Sequence, residues 1–156
     1  MIKILVMDVD GTLTDGGIYI SDRGEEFKRF NSKDGYGIHN ILKENGIVPV
    51  IITGRKSLIV QNRCKELKIS EVYQGCNDKL SVLCEVINKY GCSMDEVACI
   101  GDDLNDIEII KMAGLSGCPA DAVQCVKNEV DYISAYGGGH GAVRDFIEWI
   151  VERGNC

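Results

Sequence analysis

Positive charge is scarce in this sequence. Seventeen Lys and Arg face twenty-four Asp and Glu, the net charge is −7, and no basic run occurs. That argues against nucleic acid or an anionic membrane as a partner, because both rely on concentrated cationic side chains. Histidine is scarcer still, with two residues, and the eight cysteines (64, 76, 84, 92, 99, 118, 125 and 156) form no Cys-x-x-Cys pair. Neither the ligand supply nor the spacing suits a zinc site. Long apolar runs are missing too. The longest are strand-length, so no membrane span is expected. Met1 leads through Ile2-Lys3-Ile4-Leu5-Val6-Met7 straight into an acidic motif, a stretch too short for a signal-peptide core. The cysteines are accordingly read as reduced, mostly buried thiols of a cytoplasmic protein. There is no internal repeat, low-complexity tract or linker, and 156 residues suffice for one domain with a real core.

What is present is an alternation of strand and helix patterns. Residues 2–9 read as a buried strand. Residues 17–30, with Gly16-Gly17 before Ile18-Tyr19-Ile20 and the turn Ser21-Asp22-Arg23-Gly24, read as a projecting β-hairpin. Ile38, Ile41 and Leu42 have helical spacing, and Asn45-Gly46 stops that helix. Strands follow at 47–53, 71–74 and 96–101, with helices after each, then short β-segments near 115–118 and 130–133. Ala142–Val151 reads as a closing amphipathic helix. Such alternation predicts an α/β fold with a doubly wound, Rossmann-like parallel sheet, whose site lies at the carboxyl ends of its strands.

Four polar clusters fall at those ends: Asp8-Val9-Asp10-Gly11-Thr12, Thr53-Gly54-Arg55, Lys79, and Gly101-Asp102-Asp103-Leu104-Asn105-Asp106. Each alone has an ordinary reading as a turn, a helix cap or a solvated residue. Together they suit phosphoryl transfer. A carboxylate, Asp8, can attack phosphorus and hold the group as an acyl phosphate. Asp10 can act as acid and base. Asp102 adds a third carboxylate, and oxygen-only ligands suit Mg²⁺. Thr53 offers a hydroxyl before a helix start, and Lys79 a fixed charge for phosphoryl oxygens.

These motifs resemble the haloacid dehalogenase superfamily of phosphohydrolases over nearly the whole chain. The resemblance implies Asp8 as nucleophile, Asp10 as acid and base, and Mg²⁺ held by Asp8, Asp102 and the backbone carbonyl of Asp10, with Asp103 and Asp106 close by. Only about forty residues separate Asp10 from Thr53, too few for a large cap domain. The stretch Phe30-Asn31-Ser32-Lys33-Asp34-Gly35-Tyr36-Gly37-Ile38, the segments Thr53-Gly54-Arg55-Lys56 and Asn62-Arg63-Cys64, and Gly138-Gly139-His140-Gly141-Ala142-Val143-Arg144 resemble the capless branch acting on 3-deoxy-D-manno-octulosonate 8-phosphate (KDO 8-phosphate). That likeness implies a phosphorylated sugar acid as substrate, with Asn31, Ser32, Lys33, Asp34, Gly35, Arg55 and Arg63 as contacts. Arginine grips a carboxylate with two hydrogen bonds. It also implies a homotetramer in which projecting hairpins cover neighbouring sites, and Ile18, Ile20, Phe27 and Phe30 supply apolar surface for such burial.

The sequence departs from this branch in two places. Lys56 stands where a second arginine is often found, and the chain ends soon after the last helix, which puts closure of a neighbouring site by the tail in doubt. Three other readings compete. Phosphatases for nine-carbon sugar acid 9-phosphates look similar but tend to carry Glu where this chain has Arg55. A non-catalytic accessory domain of sugar-nucleotide synthesis would have lost motif residues, and all four motifs are intact. A phosphoaspartate receiver places its Asp on the third strand, which here ends Tyr73-Gln74-Gly75. Gly137–Gly141 reads either as a substrate-facing loop or as a flexible lead into the last helix.

Overall fold

Ile4–Met7 forms strand β1, and all four of its side chains are buried. A strand with two apolar faces must lie inside a sheet that is covered on both sides. The computed structural model describes residues 1–154 and contains that sheet. After β1 the chain makes a separate antiparallel hairpin, β2 (Tyr19–Ser21) and β3 (Gly24–Phe27). It then returns through helix α1 (Ser32–Tyr36), a π-turn at Gly37–Ile41, and α2 (Leu42–Glu44). The remaining strands are β4 (Val48–Thr53), β5 (Glu71–Gln74), β6 (Val97–Ile100), β7 (Leu115–Cys118) and β8 (Tyr132–Ile133). Between and after them come α3 (Leu58–Glu66), α4 (Lys79–Tyr90), α5 (Ile107–Met112), α6 (Gln124–Lys127) and α7 (Ala142–Gly154).

The six strands of the main sheet are all parallel, in the order β5-β4-β1-β6-β7-β8. Connections run outward from β1 in one direction to β4 and β5, and in the other from β6 to β7 and β8. The strand order therefore reverses between β1 and β6, where doubly wound sheets open a crevice at their carboxyl ends. Register sets what lines it. Met7 pairs with both Ile51 and Ile100, so Asp8, Thr53 and Gly101 emerge along one edge.

Alternation along the strands divides the core in two. Leu5, Met7, Ile51 and Ile100 pack with Ile38, Leu42, Val60 and the inner face of α7 (Val143, Phe146, Ile147, Ile150). Ile4, Val6, Val50, Ile52 and Cys99 pack with Leu83 and Val86 of α4 and Ile109 and Ile110 of α5. Helix starts are capped by side chains: Asn31 at α1, Ser57 at α3 and Asp78 at α4. Gly91, at φ +60°, closes α4 in the left-handed cap that glycine favours.

Several expectations shift. The strand read as 2–9 is shorter, because the amides of Thr12, Leu13 and Thr14 all bond to the Val9 carbonyl and curl the chain. The helix around Ile38–Leu42 contains a π-turn, and α6 was not anticipated. Phe30 is not exposed with the hairpin. It packs against the core, with the Arg63 guanidinium 5.6 Å from its ring centre. The hairpin's other apolar residues, Ile18, Tyr19, Ile20 and Phe27, are exposed, and Tyr19 and Phe27 stack at 4.3 Å. Among the described residues the seven cysteines are unbridged thiols, but only Cys64, Cys99 and Cys118 are fully buried and Cys125 is exposed. Cys156 lies outside the described residues.

Candidate active site

Strand β1 ends by placing Asp8, which is nearly buried, at the crevice floor. Lys79 is the first residue of α4, behind the Asp78 cap, and reaches it across the sheet edge. Its ammonium donates to Asp8 Oδ1 at 2.8 Å and to Asp106 Oδ1 at 2.6 Å. Asp106 is fully buried, and its other oxygen accepts the amides of Asp102 (3.0 Å) and Asp103 (3.4 Å). This folds the Gly101–Asp106 turn onto one carboxylate. Asp102 Oδ1 accepts the Thr12 hydroxyl at 3.0 Å. Gly11 makes the close approach feasible. Its φ is +91°, and a Cβ there would stand 2.1 Å from Asp102 Oδ2.

One oxygen each from Asp8, Asp102 and Asp106 lie within 4.8 Å of one another. Three carboxylates are thus crowded together, and the Lys79 ammonium pairs with two of them, Asp8 and Asp106. Burial, then the Asp106 charge, pushes the Asp8 carboxyl up to about 6, although Lys79 opposes the shift. Burial, then Asp8 and Asp106, pushes Asp102 up to about 7. Burial disfavours the Lys79 ammonium, but Asp8 and Asp106 outweigh it and its pKa is raised. Excess buried negative charge on oxygen donors fits a hard divalent cation, and the donor set suits Mg²⁺.

The expected residues fall into three groups. Asp8, Thr53, Lys79 and Asp102 sit at adjoining strand ends, with Thr53 buried at the end of β4. Asp10 joins them half-exposed, its Oδ1 turned to Lys28 (2.6 Å) and its Oδ2 3.9 Å from Arg55 Nε. The clustered carboxylates are therefore Asp8, Asp102 and Asp106, with the Asp10 carboxylate directed elsewhere. Asp103, next to Asp102, is exposed and caps its own turn through Leu104 N (2.7 Å).

On the α1 side, Arg63 Nη2 donates to the Asn31 carbonyl at 3.4 Å and lies where a Cβ on Gly35 would meet it at 2.5 Å. Asn31, Gly35 and Arg63 are thus one contiguous unit, while Ser32 and Lys33 are exposed beside it. Asp34 is a correction. It is 2% exposed, and its Oδ1 accepts the Arg144 amide at 2.8 Å, so it braces the start of α7 and does not present itself to a ligand.

A family model for haloacid dehalogenase-like hydrolases matches residues 70–147, the half that holds Lys79 and Gly101–Asp106. The 3-deoxy-D-manno-octulosonate 8-phosphate phosphatase KdsC of Salmonella typhi is 42% identical over 150 residues, covering 96% of this chain and 79% of that protein. The chain belongs to the haloacid dehalogenase-like hydrolases. Two solved structures superpose on this hydrolase closely. The 3-deoxy-D-manno-octulosonate 8-phosphate phosphatase of Yersinia pestis matches with TM-score 0.94 at 40% identity, covering 99% of this chain and 83% of that one. The Moraxella catarrhalis phosphatase of the same name, in complex with magnesium, phosphate and KDO, matches with TM-score 0.92 at 42% identity, covering 97% of this chain and 86% of that one.

Two features of the hydrolase site were not read from sequence. Lys28, just after β3, has a side chain only 1% exposed and pairs with both Asp10 and Glu25 (2.7 Å). A lysine in a Glu-rich hairpin looks like a surface charge, and only the fold turns it inward. The glycine-rich segment is tightly packed rather than a flexible lead into the last helix. Gly139 donates its amide to the Thr12 carbonyl at 3.2 Å, and its carbonyl accepts Arg29 Nη1 at 2.6 Å. A Cβ on Gly138 would meet the Gly11 carbonyl at 1.9 Å. The segment is a packed clamp on the loop that follows Asp8.

Proposed function

We propose that this hydrolase is a Mg²⁺-dependent phosphatase that cleaves KDO 8-phosphate to KDO and inorganic phosphate through an aspartyl phosphate on Asp8. The observation that carries the chemistry is Lys79 spanning Asp8 and Asp106 beside Asp102. Lys79 occupies Oδ1 of Asp8, which leaves Oδ2 as the attacking oxygen. That oxygen bonds to phosphorus as the bond to the sugar oxygen breaks. Asp10 gives a proton to the departing oxygen. It then takes one from the water that attacks phosphorus, so the phosphate leaves and Asp8 is regenerated. Thr53 donates its hydroxyl to a phosphoryl oxygen, and Lys79 supplies fixed charge there. Asp8, Asp102 and the Asp10 carbonyl would hold Mg²⁺, which neutralises phosphate and carboxylate repulsion.

The substrate assignment rests on relatives named for KDO 8-phosphate at 40–42% identity along 96% of the chain. A sugar acid carries a second anion, and Arg55 and Arg63, with Asn31 and Gly35 beside Arg63, supply cations and donors for it. In this reading Ser32 and Lys33 flank the sugar, and the whole chain, 1–156, is one domain acting in the cytoplasm. The hairpins meet in a homotetramer that covers the sites, a reading supported by the exposed Ile18, Tyr19, Ile20 and Phe27. No helix among the described residues is long and apolar enough to cross a membrane.

Phosphate release measured with KDO 8-phosphate, a nine-carbon sugar acid 9-phosphate and p-nitrophenyl phosphate, each with Mg²⁺ and with chelator, tests the reading. KDO 8-phosphate is expected to have the highest kcat/KM, chelator to stop turnover, and Asp8→Asn to abolish it. Preference for the nine-carbon ester, or no preference over p-nitrophenyl phosphate, overturns the substrate. Full activity of Asp8→Asn overturns the mechanism.

A further inference from the structure

A buried ammonium loses its hydration at a cost unless it is well paired. Lys28 incurs that cost beside the site, where an apolar residue would seal the hairpin stem more simply. Its position is fixed from both sides. Arg29 is tied to the Gly139 carbonyl, Phe30 is packed in the core, and Thr14 bridges Phe30 across the stem. Glu25 completes the arrangement. Oε1 pairs with Lys28 at 2.7 Å, and Oε2 accepts the hydroxyl of Ser57, the residue that caps α3 just beyond Thr53-Gly54-Arg55. A single chain of contacts therefore runs from the helix after β4, through the hairpin, to Asp10 Oδ1. Among the described residues only Oδ1 of Asp10 accepts a hydrogen bond from a side chain. Oδ2 faces Arg55 from 3.9 Å and is left for chemistry.

We propose that Lys28, held by Glu25 and Ser57, is a positioning residue that fixes the Asp10 carboxyl group so that Oδ2 carries the catalytic proton. This rests on the phosphatase reading above and adds to it. A general acid contributes through orientation as much as through acidity, and a carboxyl group free to rotate about its Cα–Cβ and Cβ–Cγ bonds loses much of that contribution. In the first half-reaction the proton on Oδ2 passes to the ester oxygen as its bond to phosphorus breaks. In the second, Oδ2 takes a proton from the attacking water. Lys28 transfers no proton itself. It donates to Oδ1 throughout and touches neither the phosphoryl group nor the leaving group.

Leaving groups separate this role from simple anchoring of the hairpin. An alkyl ester such as KDO 8-phosphate expels a strongly basic alkoxide and needs the acid, whereas p-nitrophenolate leaves unaided. Wild type, Asp10→Asn and Lys28→Met are compared on both esters at saturating Mg²⁺. The comparison is made in kcat/KM, which reports the step that expels the leaving group and not the later water attack that both esters share. Asp10→Asn should lose far more kcat/KM on the alkyl ester than on p-nitrophenyl phosphate. Lys28→Met should show the same pattern at smaller size, roughly ten- to a hundredfold on the alkyl ester, part of the 10²–10⁴ that a positioned acid supplies, with p-nitrophenyl phosphate within about threefold. Equal losses on the two esters, or no loss on the alkyl one, overturn the assignment while Asp10→Asn still reports on the underlying mechanism. Lys28→Met leaves Glu25 without its ammonium partner, so if it misfolds, the double variant Lys28→Met/Glu25→Met removes both charges. The same leaving-group pattern is expected there, and equal losses overturn the proposal equally. A wild type that hydrolyses neither ester removes the phosphatase reading, and this inference with it.

Discussion

Asp103 and Asp106 look interchangeable in Gly-Asp-Asp-Leu-Asn-Asp, and the fold gives them opposite fates. The tight turn at Leu104–Asp106 aims Asp106 inward onto Lys79 and leaves Asp103 outside as a cap. Spacing alone could not distinguish them, because the phase of one three-residue turn decides which carboxylate is buried. Asp103→Asn should keep near-wild-type kcat and stability, since asparagine caps as well as aspartate. Asp106→Asn strips Lys79 of one of its two charged partners in a buried site and should lower kcat by about a hundredfold or more, on the scale of a lost buried charge pair. Steady-state kinetics and thermal melts of the two variants check this. Gly11 was legible only as part of a motif, and its reason is steric. Gly11→Ala puts a Cβ against Asp102 Oδ2 at a φ that disfavours side chains, and Mg²⁺ affinity measured by calorimetry should fall roughly tenfold or more.

At the scale of elements, the hairpin was readable from its turn residues and the end of the first helical stretch from Asn45-Gly46. The inward turn of Lys28 and Phe30 was not, because the stem leaves the hairpin's register to dock on the core. The glycine-rich clamp was unreadable for a related reason. A run of glycines signals freedom in sequence, yet here it permits backbone to touch backbone at Gly138 and Gly11. Gly138→Ala should therefore act as overpacking, destabilising by about 1–3 kcal/mol and lowering kcat because the displaced loop carries Asp10. A urea melt together with turnover measures both effects, and an unchanged melt contradicts the clamp. The exposed hairpin face behaves differently. Ile20→Ser/Phe27→Ser touches no core residue, so if the proposed homotetramer forms through this face, light scattering should show a smaller assembly than wild type while the thermal midpoint of the fold shifts little.

For the whole molecule, the parallel sheet and the site along its edge followed from strand and helix alternation, since handed crossovers leave few other arrangements. The charge balance of the finished site needed the structure, because it depends on which carboxylates are buried together. Without metal, Asp8 is raised to about 6 and Asp102 to about 7, against about 4 in an unfolded chain. Between those values the folded state binds more protons than the unfolded one, so stability falls as pH rises through roughly 4 to 7. Burial raises Asp34 in the same direction. The lowered carboxyls of Glu25, Glu71, Glu96 and Asp78 lose their contributions only as pH falls below the ordinary carboxylate range, outside this window. Metal-free protein should accordingly melt higher at pH 5.5 than at pH 8, by several degrees if the site costs a few kcal/mol. Mg²⁺ competes with the same protons, so the rise in melting temperature it produces should be large at pH 8 and small at pH 5.5. Asp102→Asn removes one of the crowded charges. It should raise the metal-free melting temperature at pH 8 and shrink the Mg²⁺ response. Calorimetric scans of both proteins at the two pH values, with Mg²⁺ and with chelator, decide it. A metal-free midpoint that stays level from pH 5.5 to 8 would contradict the charge crowding at the site.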